Sequence, residues 1–465
     1  MRNQNRINLR SGQQASTTHK KYALLTSSKG DKLDRRLYLV GLVILLLGIL
    51  IKQPILLIGG SLLTLILGIT DLWSHFSLHN LAYQREISEQ RLLFGEEVML
   101  DLTVENIKLL PLPWLELEER LPRDLTLKEQ KVRTGSSSYQ VTLNALFHLS
   151  WYERVTRRYT LQGTTRGIHI FGPTTLHSGD GFGFLKREGH LNNEQFILVY
   201  PLILPLTSFH LPARHPFGDH RSQQRLIEDP SRVVGVREYA YGDSLRRVDW
   251  KATARTLTMQ SKIYESTTTY TIAIFLNVTL QLDVHYGFYP ELRELCISAA
   301  ASIADWSINQ GYAVGLYVNT VPYQPEEKPW KLNQSPEQIL RERRIRIPAA
   351  STEEQRTRIL EMLARIQNTQ GCTLDELILS ERSNLLAGTT ALIITSTINE
   401  KLLDAILHLR RHGNAVALLY AGEQPSLLKM AGVTVYHIGT TETWKQCVRT
   451  SLQESSPLER PTFQF

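Results

Sequence analysis

The apolar positions of the chain follow three patterns in turn. Leu37 to Ile51 is an unbroken run of apolar residues, Tyr and Gly; Lys52-Gln53-Pro54 stops it, and a second apolar run extends from Ile55 to Trp73. Two closely joined transmembrane helices are expected over residues 37–73. The first run reaches only about 22 Å at about 1.5 Å per residue, against a hydrocarbon core of roughly 30 Å, so Arg36 and Lys52 must snorkel or the bilayer must thin. From Leu78 the period becomes two. Val98, Leu100, Leu102 and Val104 alternate with Met99, Asp101, Thr103 and Glu105; Leu115 and Leu117 alternate with Glu116 and Glu118; Val141 to Leu149 and Val155 to Leu161 add further strands. Short strands between Pro and Gly turns predict an all-β sandwich-like domain over residues 78–205. In the last part the strands become continuously apolar: Tyr270 to Val278, Tyr312 to Val318, Ala391 to Thr395, Ala415 to Tyr420 and Val433 to Ile438. Between or after them lie helix patterns at Pro290 to Gln310, from a Ser351/Glu354 capping box through Gln367, at Asn399 to Arg411 and at Thr441 to Gln453. This alternation predicts an α/β doubly wound domain over residues 270–455, ahead of a C-terminal tail at 456–465.

Charge refines this picture at the start of the chain. Residues 1–36 are polar and basic, with nine Lys or Arg facing only Asp31 and Asp34, and carry no periodic apolar face; a basic disordered tail is expected. The long tail and the second apolar run argue against a signal peptide. The positive-inside rule then places the tail and everything after Trp73 in the cytoplasm, as a multi-pass protein of the cell membrane. The net charge of +7 is concentrated in the tail, so the remainder of the 465 residues is nearly neutral and no nucleic-acid partner is expected. Cys296, Cys372 and Cys447 lack any C-x-x-C spacing and suggest buried thiols in a reducing compartment.

A connector over residues 206–269 holds the densest motif. Asp229-Pro230 opens a turn, Val233 to Tyr239 suits a strand, Tyr241-Gly242-Asp243 breaks it, and Asp249, Trp250, Lys251 and Arg255 follow. Acids and bases interleave here, which predicts mutual pairing of Arg237, Arg246 and Arg255 with Asp229, Asp243 or Asp249, and Trp250 as an anchor against the α/β domain. The spaced positions Asp229, Pro230, Gly235, Arg237, Tyr239, Gly242, Asp243, Arg246, Asp249, Trp250, Lys251, Ala254 and Arg255 closely resemble the core motif of the domain-of-unknown-function 58 family. Gly95-Glu96-Glu97, Asn106 with Leu110 to Trp114, Arg166-Gly167, Gly172-Pro173, Ser178 to Gly183 and Val199-Tyr200-Pro201 extend the resemblance over most of the chain. The resemblance implies a bacterial membrane-anchored protein with a von Willebrand factor A-like α/β domain, working with a MoxR-type AAA+ ATPase and an unidentified client protein. The motif is then either a clasp between the two halves or a partner epitope.

Many A-like domains bind a divalent cation through D-x-S-x-S at the end of the first strand; the matching residues here are Asn277, Thr279 and Gln281, so the carboxylate is missing from its usual place. With Asp283 and acids from later loops, a degenerate metal site is the alternative expectation. Gly242-Asp243-Ser244-Leu245 spells a hydrolase motif, but Ser244 lacks the late D-x-x-H partner, since Asp404 and His408 are spaced D-x-x-x-H. His215, Asp219 and His220 lack further zinc ligands, and the Asn277-Val278-Thr279 sequon would lie at a cytoplasmic strand end. Neither a Walker A pattern nor a dinucleotide fingerprint follows any strand, so no cofactor is expected. The Arg341 to Arg346 run is expected to be a solvated helix face, and Ser380 to Ser383 a connection. Together these lead to the expectation of a non-enzymatic protein-interaction adaptor.

Overall fold

The computed structural model describes residues 23–24, 28–30, 35–127, 133–134, 140–181, 183, 185–209, 211, 227–267, 270–278, 290–325, 344–366, 372–386, 388–423 and 432–455. It contains two compact units: the first holds most of the chain up to Ile197, the second holds Leu198 onward together with Leu93–Gly95 and Thr165–Ile168. The α/β unit therefore starts a little before the expected connector.

In the first unit, the helices α1 (Arg35–Ile51) and α2 (Pro54–Ser77) pack against each other across Lys52-Gln53. Lys52 takes a left-handed φ of 53°, and Pro54 opens α2, where its missing N–H costs nothing. Close approach depends on small residues: a Cβ added to Gly48 would lie 2.7 Å from the Leu57 nitrogen, and one on Gly60 2.7 Å from that of Leu45. Among the described residues one helix, α2, is long and apolar enough to cross a membrane, while α1 falls short.

Among the described residues the β part of this unit has two large antiparallel sheets, and a smaller three-stranded sheet orders Gly167–Phe171, Gln195–Val199 and Arg91–Leu92. Of the large sheets, one orders Ala23–Leu24, Leu81–Ile87, Glu97–Asn106, Arg154–Gly163 and Leu125–Leu127; the other Ser28–Gly30, Lys186–Leu191, Thr174–Gly179, Leu112–Pro122, Gln140–Leu149 and Arg133–Thr134. Two short strands of the basic N-terminal segment thus edge the sheets. Val98, Leu100, Leu102 and Val104 are buried from one sheet and Leu115 and Leu117 from the other, as their alternation requires. The same inward registers also carry charge. Arg85 follows Leu81 and Tyr83, and Glu119 follows Leu115 and Leu117, and the two form an ion pair with side chains only 1% and 0% exposed. The other Glu119 oxygen accepts from the Tyr83 and Thr174 hydroxyls, both at 2.7 Å, while Arg85 also donates to Gln195 and to the Asn193 carbonyl. Each Arg85 nitrogen and each Glu119 oxygen has at least one partner, which makes the burial of the pair tolerable.

The second unit is built on a six-stranded sheet: β1 (Thr271–Leu276), β2 (Ala313–Val318), β3 (Arg346–Ala350), β4 (Thr390–Thr395), β5 (Ala415–Ala421) and β6 (Thr434–Gly439), in the order β3-β2-β1-β4-β5-β6. All pairs are parallel except β2 with the edge strand β3. After α3 (Trp250–Thr256), described below, the helices are α4 (Pro290–Asn309), α5 (Glu353–Ala364), α6 (Leu374–Glu381), α7 (Glu400–Arg411) and α8 (Thr441–Ser455). Ile272, Ile274 and Leu276 share a core with α4 and α5; Ala273 and Phe275, facing the opposite way, share one with α6 and α7. The sheet is therefore covered on both faces, and its fully apolar strands need both covers.

Local details differ from the sequence expectation in four places. Thr352, not Ser351, caps α5 through the Gln355 N–H. Ser380 and Glu381 end α6 instead of lying in a connection. The described end of the basic run is no solvated helix face: Arg344 and Arg346 both pair with the buried Glu381, at 2.6 and 3.1 Å, and Arg346 begins a strand. Only Cys296 is fully buried, where desolvation pushes its thiol up to about 12; Cys372 and Cys447 are half-buried.

Arg166, in the short segment that belongs to this unit, is a structural hub of it. It forms a two-pronged pair with Glu294 of α4, at 2.7 and 2.9 Å, and donates to the carbonyls of Leu363 and Ile366 at the end of α5. A planar guanidinium can do both at once.

Candidate functional site

The motif forms an arm. Ile227–Glu238 pairs with Gln260–Thr267 as a two-stranded antiparallel ribbon with irregular register between Asp229 and Gly235. The excursion between the strands holds a turn, the 3-10 segment Leu245–Arg247 and α3. Two of its acids, Asp243 and Asp249, are consumed locally. The Asp243 carboxylate accepts from Arg237 at 2.7 Å and from the Ala240 N–H at 3.1 Å, and these bonds hold its pKa below the usual carboxylate value. The Tyr239 hydroxyl donates to the Asp243 carbonyl, and Gly242 supplies the φ of 109° that the turn demands. Asp249 caps α3 by accepting from the N–H groups of Lys251 and Ala252, at 3.0 and 3.1 Å, while its own N–H donates to the Gln260 carbonyl.

The bases are treated differently. Arg237 pairs as expected, but Arg246, Lys251 and Arg255 are exposed, and no carboxylate among the described residues lies within ion-pair distance of them. The side chains of Asp229 and Pro230 lie outside the described residues. Trp250 is not an anchor: it is 67% exposed, in company with Tyr241, Leu245 and Leu257. Gly235 and Ala254 serve the backbone, in the ribbon and in α3 respectively. Asp249 makes the cap with its own side chain, which leaves the Trp250 side chain, at the first position of the helix, turned away from any core. The arm thus exposes aromatic, apolar and basic side chains, with Asp243 and Asp249 engaged in its turn and cap and Glu238 exposed. Ser244 is exposed there and makes no cap bond.

The second candidate lies where strand order reverses, beside the carboxyl ends of β1 and β4. Asn277 donates through Nδ2 to the hydroxyls of Thr395 and Thr397, at 3.0 and 3.3 Å, and its Oδ1 accepts from Asn319 at 2.8 Å. Asn319 in turn accepts the Val278 N–H and donates to the Cys372 carbonyl. A small cleft of about 50 Å³ opens here, lined by Asn277, Asn319, Thr373, Asp375, Thr397 and Asn399 with two leucines. Asp375 is the single carboxylate among these lining residues. Thr279, Gln281 and Asp283, like His215, Asp219 and His220, lie outside the described residues. Among the described residues no group of three or more His, Cys, Asp or Glu could hold a metal. Asn319, Thr395 and Thr397 were missed by sequence reasoning, although polar residues directly after apolar parallel strands are the signal for a switch-point site.

This geometry yields one test. Asn277→Asp replaces two donated bonds by acceptors and should cost about 1–3 kcal/mol of stability without metal. It also places a second carboxylate near Asp375. If the cleft can take a cation, Mg2+ at about ten times its Kd should recover about 1.4 kcal/mol, or about 3 °C in melting temperature, in the variant and nothing in the parent. Differential scanning calorimetry of both proteins with and without Mg2+ measures this.

Residues 235–386 match the family described as "Protein of unknown function DUF58". The chain is 24% identical over 243 residues to the uncharacterized protein YeaD of Bacillus subtilis strain 168, covering 52% of this chain and 56% of that one. The match thus spans little more than half the length of this curated relative. Among solved structures, a cohesin module from Clostridium perfringens covers 25% of this chain and 96% of its own at 13% identity and a TM-score of 0.19. A beta-glucosidase from Listeria innocua in complex with isofagomine covers 25% of this chain and 16% of its own at 14% identity and a TM-score of 0.16. At those scores neither carries an argument about fold or activity.

Proposed function

We propose, for a chain that belongs to the DUF58 family, that it is a membrane-anchored, non-enzymatic adaptor whose arm docks a protein partner. In this reading α1 and α2 cross the bilayer as a hairpin and both folded units are cytoplasmic. The α/β unit is von Willebrand A-like, and the first partner is a MoxR-type AAA+ ATPase that helps assemble or activate a client. The observation that carries the reading is the arm: Trp250 is exposed in the same segment as the exposed, unpaired Arg246, Lys251 and Arg255, while Asp243 and Asp249 are engaged in the turn and the cap. An exposed aromatic in one segment with exposed basic groups has the composition of an interface hot spot for an acidic surface.

Binding of the detergent-solubilised full chain to a MoxR-type ATPase from the same genome tests this. Trp250→Ala should weaken the complex roughly thirty-fold, about 2 kcal/mol, and leave the melting temperature unchanged, since the side chain supports no core. Absence of binding by the parent, or equal binding by the variant, rejects the reading. The alternative, a divalent-metal-dependent binder or enzyme at Asn277 and Thr279, draws on the presence of Asp375 in the cleft; stabilisation of the parent itself by Mg2+ in the same calorimetry supports it, and none in the parent rejects it.

A further inference from the structure

The end of α2 has two faces of different character. Ile55, Leu62, Leu65, Ile69, Leu72 and Phe76 are exposed along one face. Leu67, Thr70, Ser74 and Ser77 are buried on the other, spaced as one helical stripe. That stripe packs against Leu185 and the strands Thr174–Gly179 and Lys186–Leu191 of the same unit. Leu185 is held for this contact by its own N–H, which donates to the Asp180 carboxylate at 2.7 Å. Asp71 is the first charged residue of α2; with α2 spanning a bilayer, hydrocarbon contact would end near Thr70, and residues 71–77 with the strand residues packed on them would fall at headgroup depth.

One of them is Arg187. Its Nε donates to the Ser74 hydroxyl at 3.2 Å, and a terminal nitrogen lies 3.4 Å from Nδ1 of the exposed His75. Two of five donors are engaged, and no carboxylate among the described residues is within ion-pair distance. The neighbouring Glu188 turns to His190, at 3.3 Å. Lys108, at the end of the same helix, is not available: its ammonium donates to the carbonyls of Phe76, Ser77 and His79. What remains is a guanidinium held at the end of α2, where lipid phosphates would stand about a spanning helix.

We propose that Arg187, oriented by Ser74 and assisted by His75, binds the phosphate of an anionic phospholipid in the leaflet from which α2 emerges. The proposal rests on α2 spanning a bilayer. The test uses the full chain reconstituted in phosphatidylcholine bilayers doped with spin-labelled phosphatidylglycerol or spin-labelled phosphatidylcholine. Electron paramagnetic resonance of the motionally restricted lipid gives the relative association constant. The expected result is a preference for phosphatidylglycerol to which the basic N-terminal segment also contributes, and which Arg187→Gln lowers roughly five-fold, the value of one basic group at an anionic surface, while the protein stays in the bilayer. No preference in the parent, a preference undiminished by Arg187→Gln, or loss of the Arg187-dependent part to millimolar inorganic phosphate overturns the lipid site. Extraction of the parent chain from the bilayer by alkaline carbonate overturns the membrane span itself, and so separates the two failures.

Discussion

Glu119→Leu should destabilise the β unit by about 3–5 kcal/mol, enough to lose its cooperative melting, because it strands the Arg85 guanidinium in a core where only 1% of that side chain meets solvent. The variant also removes the acceptor of the Tyr83 and Thr174 hydroxyls, so three buried donors lose a partner together. Adding Arg85→Met to Glu119→Leu should restore most of the loss, since two apolar groups of similar volume carry no desolvation penalty. Hydrogen exchange of the strands Leu81–Ile87 and Leu112–Pro122 in parent, single and double variant measures this. A single variant as stable as the parent would refute the assignment. The same network sets an alkaline limit. Burial, and then the Glu119 charge, raise the Tyr83 pKa well above its usual value. A raised pKa in the folded state leaves stability intact below about pH 10, where unfolded tyrosine is neutral too, and lowers it as pH climbs further and only the unfolded form ionises. A Tyr83→Phe variant should lose that alkaline slope.

Arg166→Lys is the second large effect, and it should cost about 3 kcal/mol despite keeping the charge. Lysine offers a point charge where the structure uses a fork on Glu294 and a third nitrogen on the Leu363 and Ile366 carbonyls. Its ammonium can satisfy Glu294 or the end of α5, not both. The burial of Arg166, 7% exposed, prevents water from replacing what is lost. Thermal melting of the purified full chain, followed through the tryptophans, should show a lowered transition. An unchanged transition would demote Arg166 to a surface contact.

The regular parts of both units were legible because their burial is one-dimensional. Alternation placed Val98 to Val104, and continuous apolar runs placed β1, β2, β4 and β5 to within about two residues. The Arg85 and Glu119 pair was legible too in principle. Each charge sits in the inward register of an otherwise apolar series, Leu81-Tyr83-Arg85 and Leu115-Leu117-Glu119, and opposite charges that each break such a series demand one another. Trp250 was misjudged because a tryptophan among interleaved charges suits a core anchor and an epitope equally well. What decides is where Asp243 and Asp249 spend their oxygens, and that depends on turn and cap geometry which spacing does not carry. The Glu381 pairing failed for a related reason: a run of arginines looks solvated until a buried carboxylate arrives from a helix far along the chain.

Thr165–Ile168 is separated from the rest of its unit by the strands up to Ile197, and Leu93–Gly95 lies further back still. The α/β unit is thus not a portable cassette. A fragment beginning at Leu198 would leave Glu294 and the last carbonyls of α5 facing the space that Arg166 fills. Gene fusion or recombination at the obvious boundary would therefore deliver a damaged half. An intact α/β half therefore has to carry the stretch around Arg166 with it.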